Sequence, residues 1–263
     1  MDSGNRLLVQ ILSVVVFLLC NCSAFNSDGR NDGNCNLVSR EGCNEIQHPH
    51  MYSPSVNQKD LDVYDSLWDN NKDVAIQTWE TPFMQHMKHG DLQSDDYVNF
   101  LIQDINYLVK VTEMLEKMAE KVQSPEDLKN FFRGRYESYN SFAKLMLKQF
   151  NLNSVSEIKP IPAMKKYLED YKAIMDNSKP IFFAVSLLPC SRLWLWLANE
   201  LDIGYGNAYF IWKKNNMSGH PAKHYRKLLD DNLKTKEDKE RADKIFRQQM
   251  ENERDFFAAA PAA

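Results

Sequence analysis

Apolar residues recur at helical spacing along most of the chain from residue 60 onward, and no stretch alternates as a strand would. Leu61, Tyr64, Leu67 and Trp68 predict a first helix. Ala75, Trp79, Phe83 and Met87 predict a second that runs across Pro82 and ends at Gly90. Ser94 reads as the cap of a third, with Asp95 and Asp96 at its positive end. Its stripe is Tyr97, Phe100, Leu101, Asp104, Tyr107, Leu108, Val111, Leu115, Met118 and Val122. Ser124 reads as the cap of a fourth and Pro125 as its first turn, with Phe131, Phe132, Tyr136, Tyr139, Phe142 and Leu145 inward. Beyond Pro160 and Pro162, a fifth carries Met164, Tyr167, Leu168, Tyr171, Ile174 and Met175 on one face. Short helices are expected at Tyr209–Trp212 and His224–Leu233. A long one is expected from Lys236 to about Ala259, with Ala242, Ile245, Phe246, Met250, Glu253, Phe256 and Phe257 inward. The class is all-α, a single multi-helix bundle.

One stretch breaks the amphipathic rule. Pro180–Leu201, PIFFAVSLLPCSRLWLWLANEL, is apolar nearly all round, so a helix here is a buried one. Pro189, Ser191 and Arg192 argue against a membrane span. Cys190 sits at its centre and is the only cysteine beyond residue 43. A free thiol in a core is ordinarily inert. Two carboxylates change that picture. Asp104 lies on an apolar seam among Phe100, Leu101, Tyr107 and Leu108, and Glu253 among Met250, Phe256 and Phe257. A buried carboxylate costs several kcal/mol unless it is paired or hydrogen-bonded. Each therefore has either Tyr, Trp or backbone donors to satisfy it, or acid–base work to do. Tyr107, Tyr167 and Trp194 are on or beside the same helices and could wall a flat heterocycle.

Composition narrows the rest. The 263 residues are 43% apolar and 26% charged with net charge −4, ordinary for one globular domain and unlike a nucleic-acid binder. Arg6 precedes an apolar run, Leu7–Cys20, too short for a span. Cys22-Ser23-Ala24 then offers small residues for cleavage, so residues 1–24 read as a signal peptide and the mature chain as secreted. Residues 25–59, rich in Asn, Gly, Asp and Ser, read as a loose arm, with Cys35 and Cys43 expected to form a disulfide in the oxidising compartment. Residues 60–259 are the helical domain. Asn216-Met217-Ser218 is a sequon, with Asn216 as the glycan acceptor. His220/His224 and His86/His89 have helical spacing, but neither pair has an acid to complete a ligand set, so no metal site is expected.

Three blocks then carry a family likeness across residues 60–257. They are Thr81-Pro82-Phe83 with Gly90-Asp91-Leu92, Tyr97 and Gln103-Asp104-Ile105-Asn106-Tyr107-Leu108; Leu187-Leu188-Pro189-Cys190 with the Trp-rich helix; and Glu253 with Phe256-Phe257. In this order and spacing the chain resembles the thiaminase II (TenA) family, of haem-oxygenase-like all-α fold. The resemblance implies cleavage of thiamine, or a related aminopyrimidine, at the bond between the pyrimidine methylene and nitrogen. It implies Cys190 as nucleophile, Glu253 as acid/base, Asp104 as the second carboxylate on the aminopyrimidine, and Tyr107 and Tyr167 as pocket residues. Water or an amine would accept the pyrimidine, with no cofactor. The expected partner is a small-molecule substrate, with no nucleic acid, no membrane after leader cleavage and a possible homo-oligomer. Two positions depart from the family: Trp194 stands where a tyrosine usually follows the cysteine by four, and Asn216 where a second pocket tyrosine follows Trp212. The reading from another class is a secreted small-molecule-binding protein that kept the fold and lost catalysis.

Overall fold

The structure, a computed structural model, describes residues 62–260. The proposed leader, the arm and the Cys35–Cys43 pair lie outside the described residues. Nine helices and no strand are present among those described: α1 Val63–Trp79, α2 Pro82–His89, α3 Ser94–Lys121, α4 Glu126–Gln149, α5 Pro162–Asn177, α6 Pro180–Glu200, α7 Phe210–Asn216, α8 Pro221–Asn232 and α9 Lys236–Ala259. The expected all-α bundle is what forms.

The helix starts follow local chemistry. Asp62 caps α1, its Oδ1 accepting from Asp65 N at 2.9 Å, and Thr235 caps α9, its Oγ1 accepting from Asp238 N at 3.0 Å. Four helices, α2, α5, α6 and α8, begin on a proline, whose missing N–H is an orphan there in any case.

Several boundaries differ from the sequence-based expectation. Ala75 and Trp79 belong to α1, because Pro82 starts a new helix instead of being crossed. Ser94 is the first residue of α3 rather than its cap; Gln93 holds that position, and the Ser94 hydroxyl is buried without a partner. Pro125, not Ser124, holds the N-cap position of α4, with no side-chain cap bond, after a cis Ser124–Pro125 bond. Leu145 is 48% exposed, and Met146 takes the inward position one residue on.

The core is organised around α6. It packs against α1, α4, α5, α7, α8 and α9, which is why a helix apolar on every face is stable there. It is the one described helix long and apolar enough to cross a membrane, and 83% of that apolar window is buried inside the protein. Pro189 interrupts its hydrogen bonding without ending it. Arg192 leaves the core sideways, stacking 3.8 Å from the Tyr64 ring centroid and bonding Asp65, and so ties α6 to the start of α1. Antiparallel α3 and α4 pack along their lengths, and α9 closes the bundle against α1, α5 and α6.

Candidate active site

Asp104 and Tyr107 from α3, Met164 and Tyr167 from α5, Cys190 and Trp194 from α6, and Glu253 and Phe256 from α9 surround one internal cavity. Every one of these side chains is buried. The space between them sums to about 170 Å³ but is nowhere wide enough for a water molecule. A ring enters only if these walls part.

Helical geometry explains the convergence. Asp104 and Tyr107 are three apart on α3, Cys190 and Trp194 four apart on α6, and Glu253 and Phe256 three apart on α9. Each pair therefore shares a face, and packing turns the three faces toward one another.

Glu253 is the hub. Its Oε1 accepts from the Tyr167 hydroxyl at 2.6 Å and its Oε2 from Trp194 Nε1 at 3.1 Å. The Cys190 thiol lines the same cavity beside it and favours its charged form. Burial raises the Glu253 carboxyl above its usual range, while the Tyr167 and Trp194 bonds and the Cys190 thiol pull the other way. Asp104 has no such help. Its Oδ2 is buried with no hydrogen-bond partner. Burial first, and then the neighbouring Glu253, push its carboxyl well above the ordinary 3.8. The two acids are thus unlike: one is hydrogen-bonded on both oxygens, and the other has an oxygen with no partner and is pushed toward its neutral form.

Three tyrosines extend the site. Tyr171 donates to the Ser186 carbonyl at 3.1 Å, one turn before Cys190. Its oxygen is then the acceptor for Tyr107 at 2.9 Å. Tyr167 lies 3.4 Å from Tyr171, so its proton belongs to Glu253 at the shorter distance. Burial raises all three hydroxyls well above the usual tyrosine value, which keeps them donors. Trp212 packs against Trp194 in a tilted arrangement at 5.7 Å, and Phe257 meets it edge-on at 5.5 Å.

The structure brings together Cys190, Glu253, Asp104, Tyr107, Tyr167 and Trp194. It does not bring Asn216 to the cavity wall. Asn216 is 1% exposed and its Nδ2, the atom a glycan would use, donates to Trp212 O at 2.8 Å. The expected acceptor therefore faces inward, and the folded chain leaves no room for a sugar there. Among the described residues no group of three His, Cys, Asp or Glu side chains is placed to hold a metal ion. Four contributors carried no site assignment from sequence. Met164 and Phe256 look like core positions, and Tyr171 differs from them only by its hydroxyl. Gln103, beside Asp104, uses its amide to clamp the backbone ahead of α5, donating to Lys159 O and accepting from Ile161 N, both at 3.1 Å. A glutamine bordering a helix seam was the available signal.

A buried thiol and two buried carboxylates around one aromatic-walled cavity in a helical bundle define the class. A model of the TENA/THI-4/PQQC family matches residues 69–262. The chain belongs to that family. Among solved structures, a TenA homologue from P. horikoshii OT3 is 21% identical with a TM-score of 0.60, covering 76% of this chain and 98% of its own. A TenA homologue from Pyrococcus furiosus is 15% identical with a TM-score of 0.62, covering 76% and 100%. A TenA family transcription regulator from Silicibacter sp. TM1040 is 14% identical with a TM-score of 0.63, covering 74% and 94%. At these identities the likeness is one of fold. No curated protein matches the chain in sequence.

Proposed function

We propose that this protein is a thiaminase-like enzyme. It cleaves thiamine, or a related aminopyrimidine, at the pyrimidine methylene C–N bond, with Cys190 as nucleophile. The observation that carries this reading is the meeting of the Cys190 thiol with the Glu253 and Asp104 carboxyls around one buried cavity, where an Asp104 oxygen has no partner.

The residue chemistry suits the reaction. A neutral carboxyl offers one donor and one acceptor side by side. Asp104 in that form matches the edge of an aminopyrimidine, its O–H donating to a ring nitrogen and its C=O accepting from the amino group. Glu253 takes the thiol proton and passes it to the other ring nitrogen as sulfur bonds to a ring carbon. The electron pair then returns from that nitrogen through the ring, and the methylene C–N bond breaks with its pair going to the departing nitrogen. Water or an amine adds to the methylene carbon and loses a proton. The ring proton returns through Glu253 to sulfur as the C–S bond breaks, which regenerates the thiol. Tyr107 and the aromatic walls hold the ring plane. No step calls for a cofactor.

We further read the enzyme as secreted, on the strength of the Leu7–Cys20 run and the small residues before position 25. Thiamine consumption by purified protein, followed by mass spectrometry of the pyrimidine product with and without added aniline, tests the activity and identifies the acceptor. The expected result is turnover in the wild type and none in Cys190→Ser. Turnover that survives the substitution removes Cys190 as nucleophile. Thiamine binding without turnover in the wild type replaces the enzyme with a binding protein on the same fold.

A further inference from the structure

Trp194 has a second role open to it beyond walling a pocket, because its one polar atom is already engaged. Cys190 and Trp194 are one turn apart on α6, so thiol and indole both face Glu253. The indole N–H reaches Glu253 Oε2 at 3.1 Å. Indole nitrogen donates and cannot accept.

We propose that Trp194 is a positioning residue acting through Glu253: its donor-only contact holds Glu253 ionised as the base beside Cys190, and leaves the proton of the carboxyl pair on Asp104.

The hydrogen-bond inventory supports this. A protonated Glu253 must carry its proton on one oxygen. On Oε2 that proton competes with the indole N–H for the oxygen's lone pairs, and the N–H has no other acceptor to turn to. On Oε1 it opposes the Tyr167 hydroxyl, whose proton could swing only toward Tyr171 at 3.4 Å. Tyr171 itself is committed to Ser186 O and already serves Tyr107. The tyrosine side has a weak escape, the tryptophan side offers no acceptor, and the thiol beside Glu253 offers only a weak sulfur acceptor. Asp104 Oδ2 faces no donor and accepts a proton without conflict. Trp212 and Phe257 fix the indole plane, so the N–H cannot rotate away. The titratable groups around Glu253 are Asp104 and Tyr107 from α3, Tyr167 and Tyr171 from α5, and Cys190 from α6; no Lys, Arg or His lines the cavity. Burial pushes both carboxyls up; Asp104 stands well above its ordinary value with no donor to offset burial, whereas the Tyr167 and Trp194 bonds pull Glu253 back.

The inference rests on the proposed roles of Cys190 and Glu253, but its test reads protonation directly. Infrared titration of the full chain follows the C=O band of protonated carboxyls, with Asp104→Asn and Glu253→Gln assigning the two buried ones. The wild type is expected to show the Asp104 band at neutral pH and the Glu253 band only in acid. In Trp194→Phe the Glu253 band should appear about one to two pH units higher, the effect of losing one charge-assisted hydrogen bond. Trp194→Leu lacks the donor too and serves if the phenylalanine variant does not fold. A purely structural role would lower the melting temperature and leave the Glu253 band in place, and that result overturns the proposal, as does a wild type with Glu253 protonated at neutral pH. Absent thiamine turnover would sink the enzyme reading without moving either band.

Discussion

Replacing Asp104 by asparagine tests whether the buried acid is neutral in the folded protein. The side chain keeps its shape, and the amide presents one donor and one acceptor, as a protonated carboxyl does. Burial and the neighbouring Glu253 raise the folded Asp104 well above its ordinary 3.8. The folded chain therefore holds a proton that the unfolded chain releases once the pH passes about 4. The sign follows: stability is complete below the unfolded value and falls as pH rises toward the folded one. Asp104→Asn is therefore predicted to be more stable than wild type at alkaline pH, by about 1–3 kcal/mol if the buried carboxylate costs what an unpaired buried polar group does. For a domain of this size that is a rise of about 2–12 °C in melting temperature, vanishing near pH 4. Calorimetry from pH 4 to pH 9 reads it. Equal melting curves at every pH, or uniform destabilisation by Asn, would refute a neutral buried Asp104. The same variant should hold an aminopyrimidine within about tenfold of wild type, because the paired hydrogen bonds survive, whereas Asp104→Ala should lose both bonds, roughly 1–3 kcal/mol or more.

Three further outcomes follow from other contacts. Gln103→Ala removes both bonds that clamp the backbone ahead of α5; a loss of about 1–3 kcal/mol is expected in denaturant titration, with faster amide exchange at Lys159–Ile161. Gly90 has φ +76°, and a Cβ there would meet Asn207 Nδ2 at 3.1 Å. Gly90→Ala should cost about 1–2 kcal/mol, measurable as a lower melting temperature, and should weaken the Asn207 contacts to Met87 O and Lys88 O. The inward-facing Asn216 predicts that protein from a secretory host shows no mass loss at that sequon on enzymatic deglycosylation.

The pattern of apolar positions was enough to read the fold class and most helix cores. The α3 and α9 stripes, including the two acids among them, are buried as the spacing implies. Boundaries were less legible where proline and capping chemistry decide between adjacent residues, as at Pro82, Ser94 and Pro125. Leu145 and Met146 show the same limit: both are apolar neighbours, and the docking angle of α4 selects which one faces in.

What the sequence determined by itself was which residues could not rest comfortably in a core: a thiol in an all-apolar helix and two carboxylates on apolar seams. That follows from the cost of burying polar groups, a local property of each helix. Which of them meet, and which keeps its hydrogen bonds, was decided only by packing α3, α5, α6 and α9 together. Trp194 and Tyr167 reach Glu253 and leave Asp104 without a donor. That asymmetry arises between helices distant in the chain, where no sequence spacing can express it.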